Sequence, residues 1–155
     1  MDWFVRAFLR ASLVWLSLGV TLGVGMAVYP AWIIYRPAHV HMNLVGFVTM
    51  MIFGVAYHVV PRFTGRALHS RAIAATQFWI CNAGLAAMSA GFVLRPHAGR
   101  WGAVVLVTGG ALEAAGAYAF VYNVWRTLGS APPLAVRDAR VRPLPVHPTG
   151  SPSGA

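Results

Sequence analysis

Four long runs of apolar residues, separated by short polar connections, organise the chain. They cover approximately Ala11–Tyr35, His39–Val60, Ala72–Leu94 and Trp101–Trp125. Each run is close to the ~20 residues that an α-helix needs to cross ~30 Å of hydrocarbon. The runs are too long for the strands of a membrane β-barrel and lack the alternation of apolar and polar residues that such strands show. Because lipid contains no water to bond backbone N–H and C=O groups, each run must satisfy these groups within its own helix. The pattern therefore predicts an all-α membrane protein, a four-transmembrane-helix bundle.

The overall composition agrees with this prediction. Of 155 residues, 58% are hydrophobic and only 10% are charged, and the mean hydropathy of +0.64 lies outside the usual range of soluble domains. The first run is longer than the apolar core of a typical signal peptide, and it ends in Tyr29-Pro30-Ala31-Trp32 rather than at a small-residue cleavage site. We expect it to remain as the first helix.

The basic residues predict an orientation in the membrane. All 12 are arginines, and the net charge is +9. Most fall on one side of a four-helix arrangement, and only Arg36, Arg95 and Arg100 fall on the other. Since cytoplasmic loops carry the excess of positive charge, we expect both termini in the cytoplasm. The positive charge is then explained by membrane orientation and by attraction to anionic lipid headgroups. We do not expect nucleic-acid binding, because no folded soluble part remains to form such a surface.

The sequence divides into two regions. Residues 1–128 form the predicted transmembrane domain, whereas residues 129–155 are rich in Pro, Ser, Gly and Arg and have no apolar period. We expect the second region to be a flexible cytoplasmic tail, in which His147 is inert. Cys81, the single cysteine, lies in the third run, so neither an intrachain disulfide nor a thiolate metal cluster is available.

Two histidines stand at the start of the second apolar run. His39 and His41 follow Arg36-Pro37, and proline favours the first turn of a helix, so both should lie inside the membrane near its extracytoplasmic face. Positions two apart are separated by ~200° around an α-helix. The two imidazoles therefore cannot chelate one ion together, and each should address a different neighbour.

Histidines inside a span favour a cofactor site, because polar groups there are costly and often mark a pathway or a ligand. Imidazole is a common axial ligand of haem, which also needs apolar walls, small residues for close approach and cations for its propionates. The chain has all three, in Gly46, Gly54, Phe47, Phe53, Arg36, Arg95 and Arg100. We predict that at least one of the two histidines, His39 and His41, ligates a haem. The alternative for either residue is a core imidazole that bonds a neighbouring helix.

The other histidines are weaker candidates. His58 lies 17 residues after His41, which is ~25 Å along a helix, so it should lie near the opposite membrane face. It serves another site, or it is an interfacial histidine with access to water. His69 and His97 are expected in the two short loops, where histidines are usually solvated.

One carboxylate lies deep in the fourth run. Glu113 must be protonated or paired at that depth, and Asn82 and Gln77 of the third run are the candidate partners. It either accepts protons in step with a redox change or fixes helix packing as a protonated carboxyl. Together with Asn43 and His58, it forms a candidate proton or polar pathway.

The second run also carries a family resemblance. The segments Ala38–Leu44 and Gly54–Arg62 resemble helices of subunit I of the heme-copper oxidases and nitric oxide reductases. They are still more similar to the related haem-binding membrane proteins associated with nitric oxide stress. In that family, a histidine in a His-x-Asn-Leu motif holds a low-spin haem, and a His-x-His motif holds two haems on opposite sides of one helix. The resemblance implies that His41 is the low-spin haem ligand and that His39 faces a second haem.

The resemblance implies a function and an assembly. Subunit I has many more helices and an adjacent His-His pair at its copper centre, which this chain lacks, so copper is not supported and a complete haem-copper centre is not expected in one copy. The chain looks like one four-helix unit of subunit I, and a homo-oligomer, with a cyclic trimer favoured over a dimer, would rebuild the larger architecture. We expect a protein of the bacterial inner membrane that transfers electrons or binds nitric oxide or oxygen, within or beside a respiratory complex. The alternative is a non-haem accessory or assembly subunit of a respiratory oxidase.

Overall fold

The computed structural model describes residues 1–129, which form four long helices. These are α1 (Trp3–Val28), α2 (Pro30–Thr64), α3 (Arg71–Ala98) and α4 (Arg100–Gly129). All four are long and apolar enough to cross a membrane. The all-α class and the four membrane-spanning helices are therefore confirmed. Apart from Gly129, the predicted tail lies outside the described residues.

The helices begin and end elsewhere than the apolar runs predicted. α1 begins at Trp3 rather than at Ala11 and carries the exposed Arg6 and Arg10 within its first turns. A helix accommodates arginine near its end because the long side chain reaches toward the interface. The first run was also predicted to continue to Tyr35, but Pro30 opens a new helix immediately after Tyr29.

Contacts between the helix ends define the two ends of the bundle. At the terminal end, the start of α1, the 65–70 loop and the end of α4 meet, where Arg71 pairs with Asp2 at 3.3 Å and the Ser70 amide donates to Asn123 Oδ1 at 2.9 Å. At the other end, which carries His39 and His41 and is called the histidine end, the α1–α2 turn meets the end of α3, where the Tyr35 hydroxyl lies 2.9 Å from His97 Nε2. Which end faces the cytoplasm stays a prediction.

The second helix is irregular. It consists of a 3-10 turn (Pro30–Tyr35), an α segment (Arg36–His41), a π segment (Met42–Thr49) and a regular α segment (Met50–Thr64). It ends at Gly65, whose φ of 64° is the left-handed conformation that closes many helices. π segments are rare and are frequent near functional sites. This one begins directly after His41.

Helices α3 and α4 pack closely through glycines. A Cβ atom on Gly91 would lie 2.5 Å from Leu106 Cα, and one on Gly102 would lie 2.5 Å from Arg95 Cα. No side chain fits at either position, because the opposing backbone already occupies the space. As in other membrane bundles, small residues let two helices approach closely where lipid provides no hydrophobic drive.

Candidate functional site

His39 packs against α1. Its Nδ1 lies 2.8 Å from the carbonyl oxygen of Gly19, and because a carbonyl only accepts, this nitrogen carries the proton. The ring also fills the space over Gly23, where a Cβ would lie 2.8 Å from His39 Cε1. The Asn43 side-chain amide donates to the His39 carbonyl at 2.8 Å and holds the same turn.

His41 faces α3. Its Nδ1 lies 2.8 Å from the carbonyl oxygen of Pro37, and its ring centroid lies 4.8 Å from that of Phe92, at a tilt of 38°. His39 and His41 thus contact different helices, α1 and α3. The prediction that the two imidazoles address different neighbours is confirmed.

The hydrogen bonds of both histidines select one tautomer. With the proton held on Nδ1 by a backbone carbonyl, the lone pair lies on Nε2, which forms no hydrogen bond within the described residues. A carbonyl bond to the distal nitrogen is the usual support of a histidine that ligates a metal. Within residues 1–129, no three His, Cys, Asp or Glu side chains are grouped to hold an ion. Because haem requires only one or two protein ligands, the donor set fits haem.

The small and aromatic residues proposed as haem walls have other contacts. A Cβ on Gly46 would lie 2.6 Å from Trp15 Cβ, and one on Gly54 would lie 3.1 Å from Leu9 Cδ2, so these glycines admit α1 rather than a ring. Phe53 is 6% exposed in the aromatic core, 4.4 Å from the Phe120 ring. Phe53 thus packs inside the bundle, and its role as a haem wall stays a prediction.

The remaining predicted cofactor residues lie toward the same part of the bundle as His39 and His41. Phe47 is half-buried on the π segment, and Arg36, Arg95 and Arg100 are exposed near the histidine end. Contact of these arginines with haem propionates stays a prediction.

One loop assignment at the histidine end was wrong. His97 lies in the last turn of α3 rather than in a loop, and its Nε2 is 2.9 Å from the Tyr35 hydroxyl. The helix extends only two residues past Pro96, to Ala98, because proline lacks the N–H group that continues a helix.

The three residues of the candidate polar pathway lie in different places. Asn43 supports His39, whereas His58 lies at the terminal end, where its Nδ1 is 2.6 Å from Arg62 Nη1. Glu113 lies between α3 and α4, and its Oε1 is buried without a hydrogen bond inside the described region. No described hydrogen bond links the three, and a proton pathway through them stays a prediction.

The amides expected to pair with Glu113 bond other residues. Gln77 accepts a hydrogen bond from the Tyr57 hydroxyl, and Asn82 Oδ1 accepts from the Trp15 indole at 3.1 Å. Both aromatic groups donate to the amide oxygens, and Asn82 Nδ2 donates to the Phe78 carbonyl at 2.8 Å. Gln77 Nε2 is buried without a hydrogen bond among the described residues, so a pairing of Gln77 with Glu113 stays a prediction. Each buried N–H or O–H needs an acceptor, and lipid provides none.

Residue types alone did not reveal the groups that support the two histidines. Gly19 and Gly23 provide the surface for His39, and Phe92 provides the surface for His41. The spacing of four between the glycines is a small-xxx-small pattern, which indicates a close helix contact. The sequence did not predict the contact between Phe92 and His41, because this contact depends on how α2 and α3 are aligned.

Comparison with known proteins identifies relatives of this chain. The family model of cytochrome c and quinol oxidase polypeptide I matches residues 33–131, which is more than half of the chain and includes both histidines. The chain is 31% identical over 162 residues to the cbb3-type cytochrome c oxidase subunit CcoN1 of Stutzerimonas stutzeri, covering 83% of this chain and 34% of the relative. It thus spans about a third of the length of that relative.

The fold has a counterpart among solved structures. A heme-copper terminal oxidase dimer, solved by cryo-electron microscopy, superposes with a TM-score of 0.74 at 17% identity, over 84% of this chain and 27% of the oxidase chain. At this identity, the likeness shows the shared fold alone. The sequence match and the fold agree, and the chain belongs to the cytochrome c and quinol oxidase polypeptide I family, as a multi-pass membrane protein.

Proposed function

We propose that the protein binds haem b at the histidine end of α2 and transfers electrons in a bacterial inner membrane. The observation that carries the proposal is the pair of imidazoles whose Nδ1 atoms each bond a backbone carbonyl at 2.8 Å, leaving Nε2 to ligate. Membership of the family supports it, since the relative named above is a cytochrome c oxidase subunit.

His41 is the first ligand in this proposal. The Pro37 carbonyl orients its ring, the Phe92 ring covers one side of it, and the exposed Leu44 and Val48 follow at helical spacing toward lipid. His39 is the companion ligand on the opposite side of the helix, oriented by the Gly19 carbonyl. Haem bound there would supply a one-electron redox centre, low-spin with two histidine ligands or able to bind nitric oxide or oxygen with one.

We also propose a homo-oligomer, which the contacts of the two histidines with different helices support. One helix does not present both imidazoles to one haem, so the proposal takes the second axial ligand from another chain. His41 of one protomer and His39 of the next would meet in a head-to-tail contact, which closes as a ring. We propose a trimer, and association with a respiratory complex is compatible with it.

The absorption spectrum of the haem-replete, detergent-purified protein tests the proposal. We expect a Soret band, sharp bands in the dithionite-reduced state, and no shift with carbon monoxide if two histidines bind the iron. His41→Ala should abolish the Soret band, and His39→Ala should convert the spectrum to a form sensitive to carbon monoxide.

His58→Ala is the matched control, because it removes an imidazole from the same helix at the other end of the bundle. It should leave the spectrum unchanged. Absence of a Soret band in the wild type would sink the haem proposal and leave the accessory-subunit alternative. A carbon monoxide shift in the wild type would replace electron transfer with gas binding.

A further inference from the structure

A cleft of about 800 Å3 opens at the terminal end of the bundle, away from the two histidines of the haem proposal. Its volume falls within the ~300–1,000 Å3 of small-molecule sites. The start of α1, the end of α2 and the 65–70 loop form its walls. We name it the terminal cleft. The arginine, histidine and acidic side chains in its lining are Arg62, Arg71, His58, His69 and Asp2.

The polar rim of the terminal cleft favours an anion. Arg62 Nη1 donates to His58 Nδ1 at 2.6 Å and to the His58 carbonyl at 3.0 Å, which fixes the guanidinium and leaves its other N–H groups free to bind. Because His58 Nδ1 accepts, the proton of the neutral ring lies on Nε2, which becomes another donor. Asp2 is the one acidic residue in the described lining, and it is paired with Arg71 at 3.3 Å.

The wall that carries His69 is held in place by buried groups. The amides of His69 and Ser70 donate to Thr127 Oγ1 at 3.0 Å and to Asn123 Oδ1 at 2.9 Å. The Asn123 amide returns a hydrogen bond to the Ser70 carbonyl at 2.9 Å. Both α4 side chains are 0% exposed. The loop is therefore ordered before any ligand arrives, which lowers the entropic cost of binding.

The floor of the terminal cleft is apolar. Val5 and Tyr57 are 1% and 3% exposed beneath it, and Pro61 and Leu68 complete the floor. A cationic rim above an apolar floor, at the ends of membrane-spanning helices, matches a phosphate group attached to an acyl chain. The cleft is also far larger than inorganic phosphate requires.

We propose that the terminal cleft binds a phosphate group, supplied by the headgroup of an anionic phospholipid. Arg62 and Arg71 would contact the phosphate oxygens, and the acyl chain would lie along Pro61 and Leu68. Guanidinium groups suit this ligand, because their fork of donors bonds two phosphate oxygens at once. The proposal is independent of the haem site, and its failure would leave that site unaffected.

Native mass spectrometry of the full chain tests the proposal by titration with phosphatidylglycerol and with phosphatidylcholine of the same acyl chains. We expect tighter binding of phosphatidylglycerol. The double variant Arg62→Gln/Arg71→Gln should weaken it about 25-fold, since one arginine near a lipid surface contributes about fivefold. Arg6→Gln/Arg10→Gln is the matched control, because it removes the same charge from exposed positions outside the cleft.

A second variant tests the terminal cleft without removing an arginine, in case the arginine variants fail to fold. Ala67→Glu adds a carboxylate to the rim at an exposed loop residue and breaks no hydrogen bond that the structure contains. It should also abolish the preference for phosphatidylglycerol. Equal weakening in both double variants, or no preference in the wild type, would overturn the proposal. Competition by inorganic phosphate that is lost with Arg62 and Arg71 would support the phosphate site and assign it a soluble ligand.

Discussion

The α3–α4 pair and the first half of α2 are built in opposite ways. In α3 and α4, two regular helices meet at glycines, and backbone atoms of the facing helix occupy the space that a Cβ atom would need. The first half of α2 (Pro30–Thr49) passes through 3-10, α and π segments, and its histidines contact side chains and carbonyls. One region is a rigid support and the other carries the candidate chemistry. The candidate site therefore lies on the segment with the least regular backbone.

The largest expected effect comes from placing a methyl group in the rigid region. In Gly109→Ala, the new Cβ would lie 2.6 Å from the Gly84 carbonyl oxygen and 2.7 Å from Met88 Cα. Because backbone cannot move aside, the two helices must separate, and we expect a loss of about 3 kcal/mol in the free energy of unfolding. Thermal unfolding in detergent measures it.

The neighbouring glycine is the control for that substitution. At Gly110 the nearest atom to a new Cβ is Met88 Sδ at 4.0 Å. Gly110→Ala should be neutral or should stabilise the helix by up to about 1 kcal/mol through helix propensity. Equal effects at the two positions would show that the close contact of α3 and α4 does not determine stability.

A smaller loss is expected where α4 holds the loop that precedes α3. Asn123→Ala leaves the Ser70 N–H without its acceptor at 2.9 Å, and the Ser70 carbonyl keeps only the longer bond from the Ala74 N–H at 3.4 Å. We expect a loss of about 2 kcal/mol, since each unpaired buried polar group costs about 1–3 kcal/mol. Chemical unfolding in mild detergent measures it, and Asn123→Asp, which keeps the acceptor, should recover part of the loss.

A glycine-to-alanine change at the contact between α1 and α2 should have a smaller effect. In Gly23→Ala, the new Cβ would lie 2.8 Å from His39 Cε1, which is the outer part of a side chain. The imidazole can rotate or shift, so we expect a loss of about 1 kcal/mol. A weakened Gly19 hydrogen bond should appear as an altered haem spectrum, whereas Gly109→Ala should leave the spectrum of the folded fraction unchanged.

The two regions also differ in how far the sequence predicted them. The number of helices and the opposite directions of His39 and His41 followed from apolar length and helical angle alone. The roles of Gly46, Gly54 and Phe53 did not, because a glycine or phenylalanine on a helix can serve a cofactor or a neighbouring helix equally well. The positions of the neighbouring helices decide between these roles: α1 for the two glycines and α4 for Phe53. The partners of Gln77 and Asn82 were missed for the same reason, since hydrogen bonds between helices depend on helix rotation.

The smallest effect concerns the π segment that follows His41. The Thr49 hydroxyl donates to the Leu44 carbonyl, five residues earlier, at 2.9 Å, whereas the Thr21 hydroxyl in α1 donates four residues back, to Ser17, at 2.8 Å. A spacing of five suits the wider π turn. Thr49→Val should therefore cost about 0.5 kcal/mol and speed amide exchange in residues 42–49, because a partner of the π backbone is lost. Thr21→Val, the control, removes an equivalent bond from a regular helix and should leave exchange there unchanged. If both variants behave alike, the hydroxyl does not stabilise the π segment, and the irregular backbone beside His41 is determined by contacts with α1 and α3.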